Sequence, residues 1–260
     1  MQIDKYLMKY RKNFIYYLVN LPEWVWVLIY IYLFSMTIIP FLVGGWEYLL
    51  SVWYRWQALN VGILAFISSV IALNISRLNA DEARHRKFIA AKSFLPEALS
   101  ELTTYFRCSA CLFIEAWPRV NDNTDNCQTP LQVKAPNLPS GYKKVFSHCI
   151  EFADSDIGNY LAYILMRLQI HHSRLIELEN SFKENSKRVL VSRNIVNYLF
   201  NLAELQALVN KIFEFSRSNG PFDDSRLTWD DFKTAYCNLK IDFEIYDDLE
   251  SFTKNLINKR

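Results

Sequence analysis

The chain has 260 residues, of which 22% are charged, and a net charge of +2 at pH 7. So small a net charge gives no electrostatic argument for a nucleic-acid partner, and no direct nucleic-acid binding is expected. The length fits either one large domain or a membrane anchor joined to a medium-sized soluble domain.

The glycine and cysteine content indicates the fold class and the redox state of the thiols. Six glycines and the scarcity of alternating apolar and polar positions predict a mostly helical protein. The odd number of cysteines and their irregular spacing favour reduced thiols over a disulfide scaffold. The cysteines are Cys108, Cys111, Cys127, Cys149 and Cys237.

The N-terminal segment, residues 1–23, is basic, and an uncharged run, WVWVLIYIYLFSMTIIPFLVGGW, follows at residues 24–46. As a helix, this 23-residue run exceeds the roughly 30 Å hydrocarbon core of a bilayer. Tryptophans at both ends suit the headgroup region. Its length, its aromatic content and the lack of a small-residue cleavage site exclude a signal peptide. The run therefore predicts a first membrane span.

A second uncharged run, WQALNVGILAFISSVIALNIS, occupies residues 56–76 between Arg55 and Arg77. It is less apolar than the first, and a buried helix of a soluble protein is the alternative interpretation. The neighbouring run of similar length weighs against that alternative. Together the two runs predict a transmembrane helical hairpin over residues 24–76.

Lysine and arginine placement predicts the orientation of the hairpin. Basic residues cluster on both outer flanks, whereas the short segment between the spans has only Arg55. Both termini are therefore expected in the cytoplasm, with the spans in a bacterial inner membrane. The residues that set this orientation are Lys5, Lys9, Arg11 and Lys12 before the first span and Arg77, Arg84, Arg86 and Lys87 after the second.

Small residues recur down one side of the second span at alternating intervals of four and three. Such a stripe lets two helix backbones approach closely in lipid. It predicts packing either against the first span or against another copy of the chain. The small-residue stripe consists of Ala58, Gly62, Ala65, Ser69, Ala72 and Ser76.

Residues 77–260 are expected to form a cytoplasmic helical domain. Pro96 marks the first turn of a new helix that ends near Trp117, and an irregular loop is predicted over residues 118–143. Thr228 opens the sequence TWDD, which predicts a capping box at the start of a helix ending near Lys240. The other predicted helices span about 144–153, 156–185, 192–217 and 245–258.

The candidate catalytic and metal-binding residues lack the spacing that such sites need. Cys108 and Cys111 form a C-x-x-C pair, but adjacent His148 and Cys149 would point about 100° apart on a helix and rarely bind one metal. His171 and His172 have no recognisable triad partners. The chain has no phosphate-binding loop, nucleophile elbow or H-E-x-x-H motif. We therefore expect neither an enzyme nor a cofactor or metal.

The stretch 222–250 is acidic and interleaved with aromatic residues. A solvated amphipathic face is one interpretation, and a docking surface for a basic protein partner is the other. The residues that would form such a surface are Asp230, Asp231, Asp247, Asp248 and Trp229.

Together with the hairpin, two stretches carry a resemblance: RKFIAAKSFLPEALSELTTYF, from Arg86, and YLAYILMRLQIHHSRL, from Tyr160. The chain resembles a bacterial group of two-span helical proteins over residues 24 to about 180. Some proteins of this type are effectors of antiphage defence, including those encoded beside retron reverse transcriptases. Such effectors stay silent until triggered and then damage the inner membrane. The resemblance implies no catalytic residues.

The sequence as a whole therefore favours an all-α protein with an N-terminal transmembrane hairpin and a cytoplasmic helical domain. The leading hypothesis is a toxin-like membrane effector that oligomerises through its hairpin. Its expected partners are membrane lipid, further copies of itself and a cytoplasmic protein, such as a reverse transcriptase complex. The alternative is a passive anchor that recruits a cytoplasmic partner to the membrane.

Overall fold

The structure is a computed structural model that describes residues 23–121, 129–183, 191–243, 245–246 and 248–259. The described residues form helices and connecting segments without strands, so the prediction of an all-α fold is confirmed. The predicted basic N-terminal segment, with Lys5, Lys9, Arg11 and Lys12, lies almost wholly outside the described residues, as do Cys127 and Asp247.

The chain divides into two compact units, Met1–Arg84 and His85–Arg260. The first contains α1 (Glu23–Leu33), a π-helical turn (Phe34–Ile38), α2 (Ile39–Arg55) and most of α3. Helix α3 runs from Gln57 to Lys92, so the charged segment after residue 76 continues the second apolar run as helix.

Within the part of the chain that the structure describes, two helical stretches, Glu23–Arg55 and Gln57–Asn121, are long and apolar enough to cross a membrane. In the most apolar 18-residue window of each, only 6% of the residues are buried. A core helix of a soluble protein would have most of such a window covered by its own domain. The low burial therefore favours the membrane interpretation of the hairpin.

A proline and a glycine shape the first of these stretches. Pro40 has no N–H and its ring clashes with the carbonyl four residues earlier, and the π-helical turn lies just before it. Gly45 has φ 68° and ψ −160°, which breaks α2 internally. Helix nevertheless continues to Arg55, so the segment between the predicted spans is helical rather than a loop.

The described residues of the second unit form six further helices. They are α4 (Leu95–Asn121), α5 (Tyr142–Phe152), α6 (Ser155–Ser181), α7 (Ser192–Ser216), α8 (Trp229–Asn238) and α9 (Leu249–Lys259). Helix α7 lies at the centre: it contacts α4, α6, α8 and α9, and 15 of its 25 residues are buried. The core of this unit is therefore built around α7. The helices that pack on it both precede and follow it in the chain.

Residues 129–140, which we call the strap, form an extended segment against the helices. Its backbone N–H groups at Gln132 and Val133 donate to the two carboxylate oxygens of Glu115, each at 2.7 Å. The N–H of Ala135 donates to Glu179 Oε2 at 3.0 Å. Two carboxylates on different helices therefore satisfy backbone donors of a segment that lacks secondary structure.

Candidate functional site: the helical hairpin

A hydrogen-bonded asparagine joins the helices of the hairpin. Asn60 on α3 is 5% exposed, and its Oδ1 accepts a hydrogen bond from the Tyr32 hydroxyl of α1 at 2.9 Å. Its amide Nδ2–H donates to the Trp53 carbonyl at 3.4 Å. A buried polar group without such partners is costly, so these two bonds stabilise the approach of α1 and α3 at Asn60.

A second bond ties the π-helical turn to α2. Because Pro40 cannot donate, the carbonyl of Met36, four residues earlier, is available, and the Trp53 indole N–H donates to it at 2.8 Å. The Met36 carbonyl is thereby satisfied from within the hairpin, as it would have to be inside a bilayer.

The small-residue stripe does not face α1. On the side of α3 that faces α1, Ile63, Ile67 and Val70 are half-buried. With α1 residues such as Leu28 and Tyr32 they line an apolar cavity of about 330 Å³, so the two helices face each other across this cavity without close backbone contact.

The small-residue stripe itself is exposed along its whole length. A Cβ atom added at Gly62 would have no neighbour within 4 Å. The Ser69 hydroxyl donates to the Ala65 carbonyl at 2.9 Å within the helix, so it needs no outside partner. Of the two interpretations of the stripe, the observed packing leaves this face open for another helix, and self-association stays a prediction.

The basic residues after the second span lie on the same helix. Arg77, Arg84, Arg86 and Lys87 are all exposed on α3. Lys87 also has its ammonium 5.1 Å from the centre of the Phe152 ring, within the second unit. Such a cationic stretch suits anionic headgroups, although orientation stays a prediction.

The predicted docking residues have divided roles. The capping box is confirmed: Thr228 caps α8, its side chain accepts from the Asp231 N–H, and Asp231 accepts from the Thr228 N–H at 2.7 Å. Trp229 packs edge-on against Phe243, with ring centroids 5.7 Å apart. Asp230 and Asp248 are exposed. Of the predicted docking residues that the structure describes, only Asp230 and Asp248 could bind a partner without disturbing the fold.

The cysteine and histidine positions do not converge. Cys108 and Cys111 are exposed on α4 and Cys149 is buried, while neighbouring His148 is exposed. Within the described residues, no group of three or more histidine, cysteine or acidic side chains is placed to hold a metal ion.

His171 is a core residue. Its ring meets Tyr105, Phe106 and Phe113 edge-on, with centroids 5.9 to 6.4 Å away. Burial, reinforced by the nearby His172 and arginine charges, lowers the pKa of His171 to about 3. The side chain is thus neutral at physiological pH and enclosed by aromatic rings.

Sequence reasoning missed a buried ion pair between α6 and α7. Arg167 donates to Glu204, whose side chain is 1% exposed, and also to Asn201 Oδ1 at 2.6 Å. The Tyr163 hydroxyl donates to Glu204 Oε1 at 3.2 Å. Glu204 and Tyr163 line a cavity of about 300 Å³, and the Glu204 carboxylate is already engaged by Arg167 and Tyr163. The available signal was a lone acid within the apolar run of α7.

No family model, curated protein or solved structure matches this chain. The case for its function accordingly rests on the chemistry of the hairpin and of the helical domain.

Proposed function

We propose that this protein is a toxin-like membrane effector of an antiviral defence system. Its hairpin would span the inner membrane with both termini in the cytoplasm. Copies would associate through the small-residue stripe, and the assembly would disrupt the membrane under control of the cytoplasmic helical domain. The effector role and the link to a reverse transcriptase complex rest on the resemblance given above.

The observation that carries the proposal is the exposure of the small-residue stripe. Asn60 and large apolar side chains on the other face of α3 are the ones turned toward α1. Small residues outside that contact offer close helix approach to a second hairpin, which in lipid is driven by packing and hydrogen bonding.

The ends of the hairpin support its placement in a bilayer. The segment from Trp46 to Trp56 carries three tryptophans and two tyrosines, and Trp46 and Tyr54 are 65% and 83% exposed. Amphipathic aromatic rings of this kind favour the headgroup region. The basic part of α3 would then lie at the opposite, cytoplasmic surface.

The second candidate function is a passive anchor that recruits a cytoplasmic partner. The exposed carboxylates of Asp230 and Asp248 favour it, since they could bind a basic surface. In that case any unrelated span should replace residues 1–76 without loss of function.

The test is controlled expression in bacteria with membrane potential followed by a dye, matched by leakage from vesicles containing the purified full chain. We expect wild type to depolarise cells and release vesicle contents, and Gly62→Leu to prevent both. Val61→Leu is the matched control, because Val61 is 60% exposed beside the stripe and should tolerate the larger side chain. Equal activity of the two variants, or intact function with a foreign span, would favour the anchor.

A further inference from the structure

The last two turns of α3 belong to the second unit and pack within it. The Lys92 ammonium lies 3.7 Å from the centre of the Phe215 ring, and the Lys87 ammonium lies 5.1 Å from the centre of the Phe152 ring. The rings of Phe88 and Phe215 have centroids 6.4 Å apart. We call these five residues the α3 clasp.

The α3 clasp joins α3 to the C-terminal ends of two other helices. Phe152 is the last residue of α5 and Phe215 is the last but one of α7, and neither helix has a basic residue in its own last turn. The carbonyl end of a helix favours a nearby cation, and so does the face of an aromatic ring. Lys87, Phe88 and Lys92 fall within an arc of about 140° on α3. Their contacts therefore fix the rotation of α3 as well as its position in the second unit.

The stretch of α3 that leads to the α3 clasp is helical although its side chains are exposed. Residues 79–87 are all exposed, and the sequence has no glycine or proline from residue 63 to residue 95 that would favour a kink. A rotation held at the clasp can therefore pass along one unbroken helix of 36 residues. Six of the nine exposed residues are strong helix formers, namely Ala80, Glu82, Ala83, Arg84, Arg86 and Lys87.

We propose that the α3 clasp is the joint through which the helical domain controls the hairpin, by setting the rotation of the small-residue stripe about the axis of α3. This regulation rests on the proposed function, because it acts on association through the stripe. Such a joint needs a firm grip at one end and an unbroken helix, and the described residues of α3 provide both. A flexible tether would instead let the hairpin turn independently of the domain.

Alanine insertions between Ala83 and Arg84 separate the effect of rotation from that of length. Each inserted residue turns the following helix by about 100° and lengthens it by about 1.5 Å. Two alanines turn it by about 200°, whereas four bring it back to within about 40° of its original rotation. At matched expression in bacteria, we expect two alanines to slow membrane depolarisation about fivefold or more and four alanines to leave it close to wild type. Equal rates, or a larger loss with four alanines than with two, would overturn the proposal.

A variant of the α3 clasp places the effect at this joint. Phe88→Ala with Lys92→Gln removes both contacts to Phe215, so chains with two and four inserted alanines should then depolarise cells alike. Ile89→Ala is the matched control, because Ile89 is 53% exposed beside the clasp and should leave the difference between the insertions in place. A difference that persists in the clasp variant would show that the rotation is not held by these contacts.

Glycine substitutions in the exposed stretch provide a second test that leaves the α3 clasp and the core intact. Ala80→Gly with Ala83→Gly loosens the helix at two exposed positions. We expect the difference between two and four alanines to disappear here too, since the rotation is no longer transmitted. If the difference persists in this background, transmission along the helix is overturned.

Depolarisation by the chain without insertions separates this proposal from the function. If wild type depolarises cells and the two insertions act alike, only the joint is overturned. If neither wild type nor any variant depolarises cells, the effector function is overturned and the joint with it.

Discussion

Arg167 and Glu204 lie 37 residues apart in sequence and form an ion pair between α6 and α7. The side chain of Glu204 is 1% exposed, whereas that of Arg167 is 16% exposed. The pair thus places a negative charge in the core and its positive partner near the edge. Removing one member leaves the other without its counter-charge.

We expect Glu204→Ala to lower the free energy of unfolding by about 3 kcal/mol, since it strands a partly buried guanidinium. The double variant Arg167→Met with Glu204→Leu should recover most of that loss. Denaturant unfolding of the full chain in micelles, followed by circular dichroism, measures both.

The matched control for this pair is the surface pair of Lys254 and Glu250, four residues apart on α9. Glu250→Ala should cost no more than about 0.5 kcal/mol, because exposed pairs of this spacing contribute little. Equal losses for Glu204→Ala and Glu250→Ala would contradict the importance of burial.

The bond from Trp53 to the Met36 carbonyl should depend on Pro40. Trp53→Phe removes the donor, and we expect it to destabilise the hairpin by about 0.6 kcal/mol, the average for interhelical bonds in membranes. With Pro40→Ala, a backbone N–H can return to the Met36 carbonyl, so Trp53→Phe should then cost less. A double-mutant cycle of unfolding in mixed micelles measures the coupling, and additive effects would show that the two features are independent.

Stability should fall in acid through His171. Its pKa is lowered in the folded state to about 3, so the unfolded chain binds more protons between pH 3 and about 6.5. The free energy of unfolding should therefore drop as pH falls through that window, by up to about 1.4 kcal/mol per pH unit.

His171→Phe should flatten this pH dependence, because a phenyl ring fits among the surrounding aromatic rings and has no proton to gain. Unfolding curves at pH 7, 6 and 5 provide the comparison with wild type. An unchanged slope between pH 6 and pH 5 would mean that other groups dominate acid stability.

The strap should open when Glu115 is removed. Glu115→Ala deletes the acceptor of two backbone hydrogen bonds, each charge-assisted and worth about 1.5 kcal/mol or more. Trypsin should then cut after exposed Lys134 at least about tenfold faster, since cleavage follows the open population. Glu101→Ala, an exposed residue on the same helix, is the control and should leave the cleavage rate unchanged.

Features that depend on neighbours in sequence could be predicted. The capping box at Thr228 involves residues three apart, and the structure has it where the sequence predicts it. The sequence predicts that α4 ends near Trp117, but Pro118 lies inside the helix, which continues to Asn121. A proline in the last turn removes few helical bonds, so it need not end the helix where it stands.

Features that depend on tertiary packing could not be predicted. The spacing of the small-residue stripe indicates a helix face, but only the positions of Asn60 and Ile63 show which face of α3 is turned toward α1. Likewise, Glu204 is conspicuous only as an acid among apolar residues, and its arginine lies on another helix. Burial and pairing depend on which helices meet, and local patterns do not encode that directly.

The architecture of the second unit has a consequence for synthesis. Its earliest helix, α4, packs on α7, and the Arg107 side chain on α4 donates to the Asn238 carbonyl, 131 residues downstream. At ordinary translation speeds the ribosome needs roughly 7 to 26 s to make that interval. Until α7 and Asn238 have been made, the part of α4 that they cover lacks these partners. The nascent chain therefore exposes apolar surface of α4 for seconds, and surface exposed in this way makes a folding chain prone to aggregation.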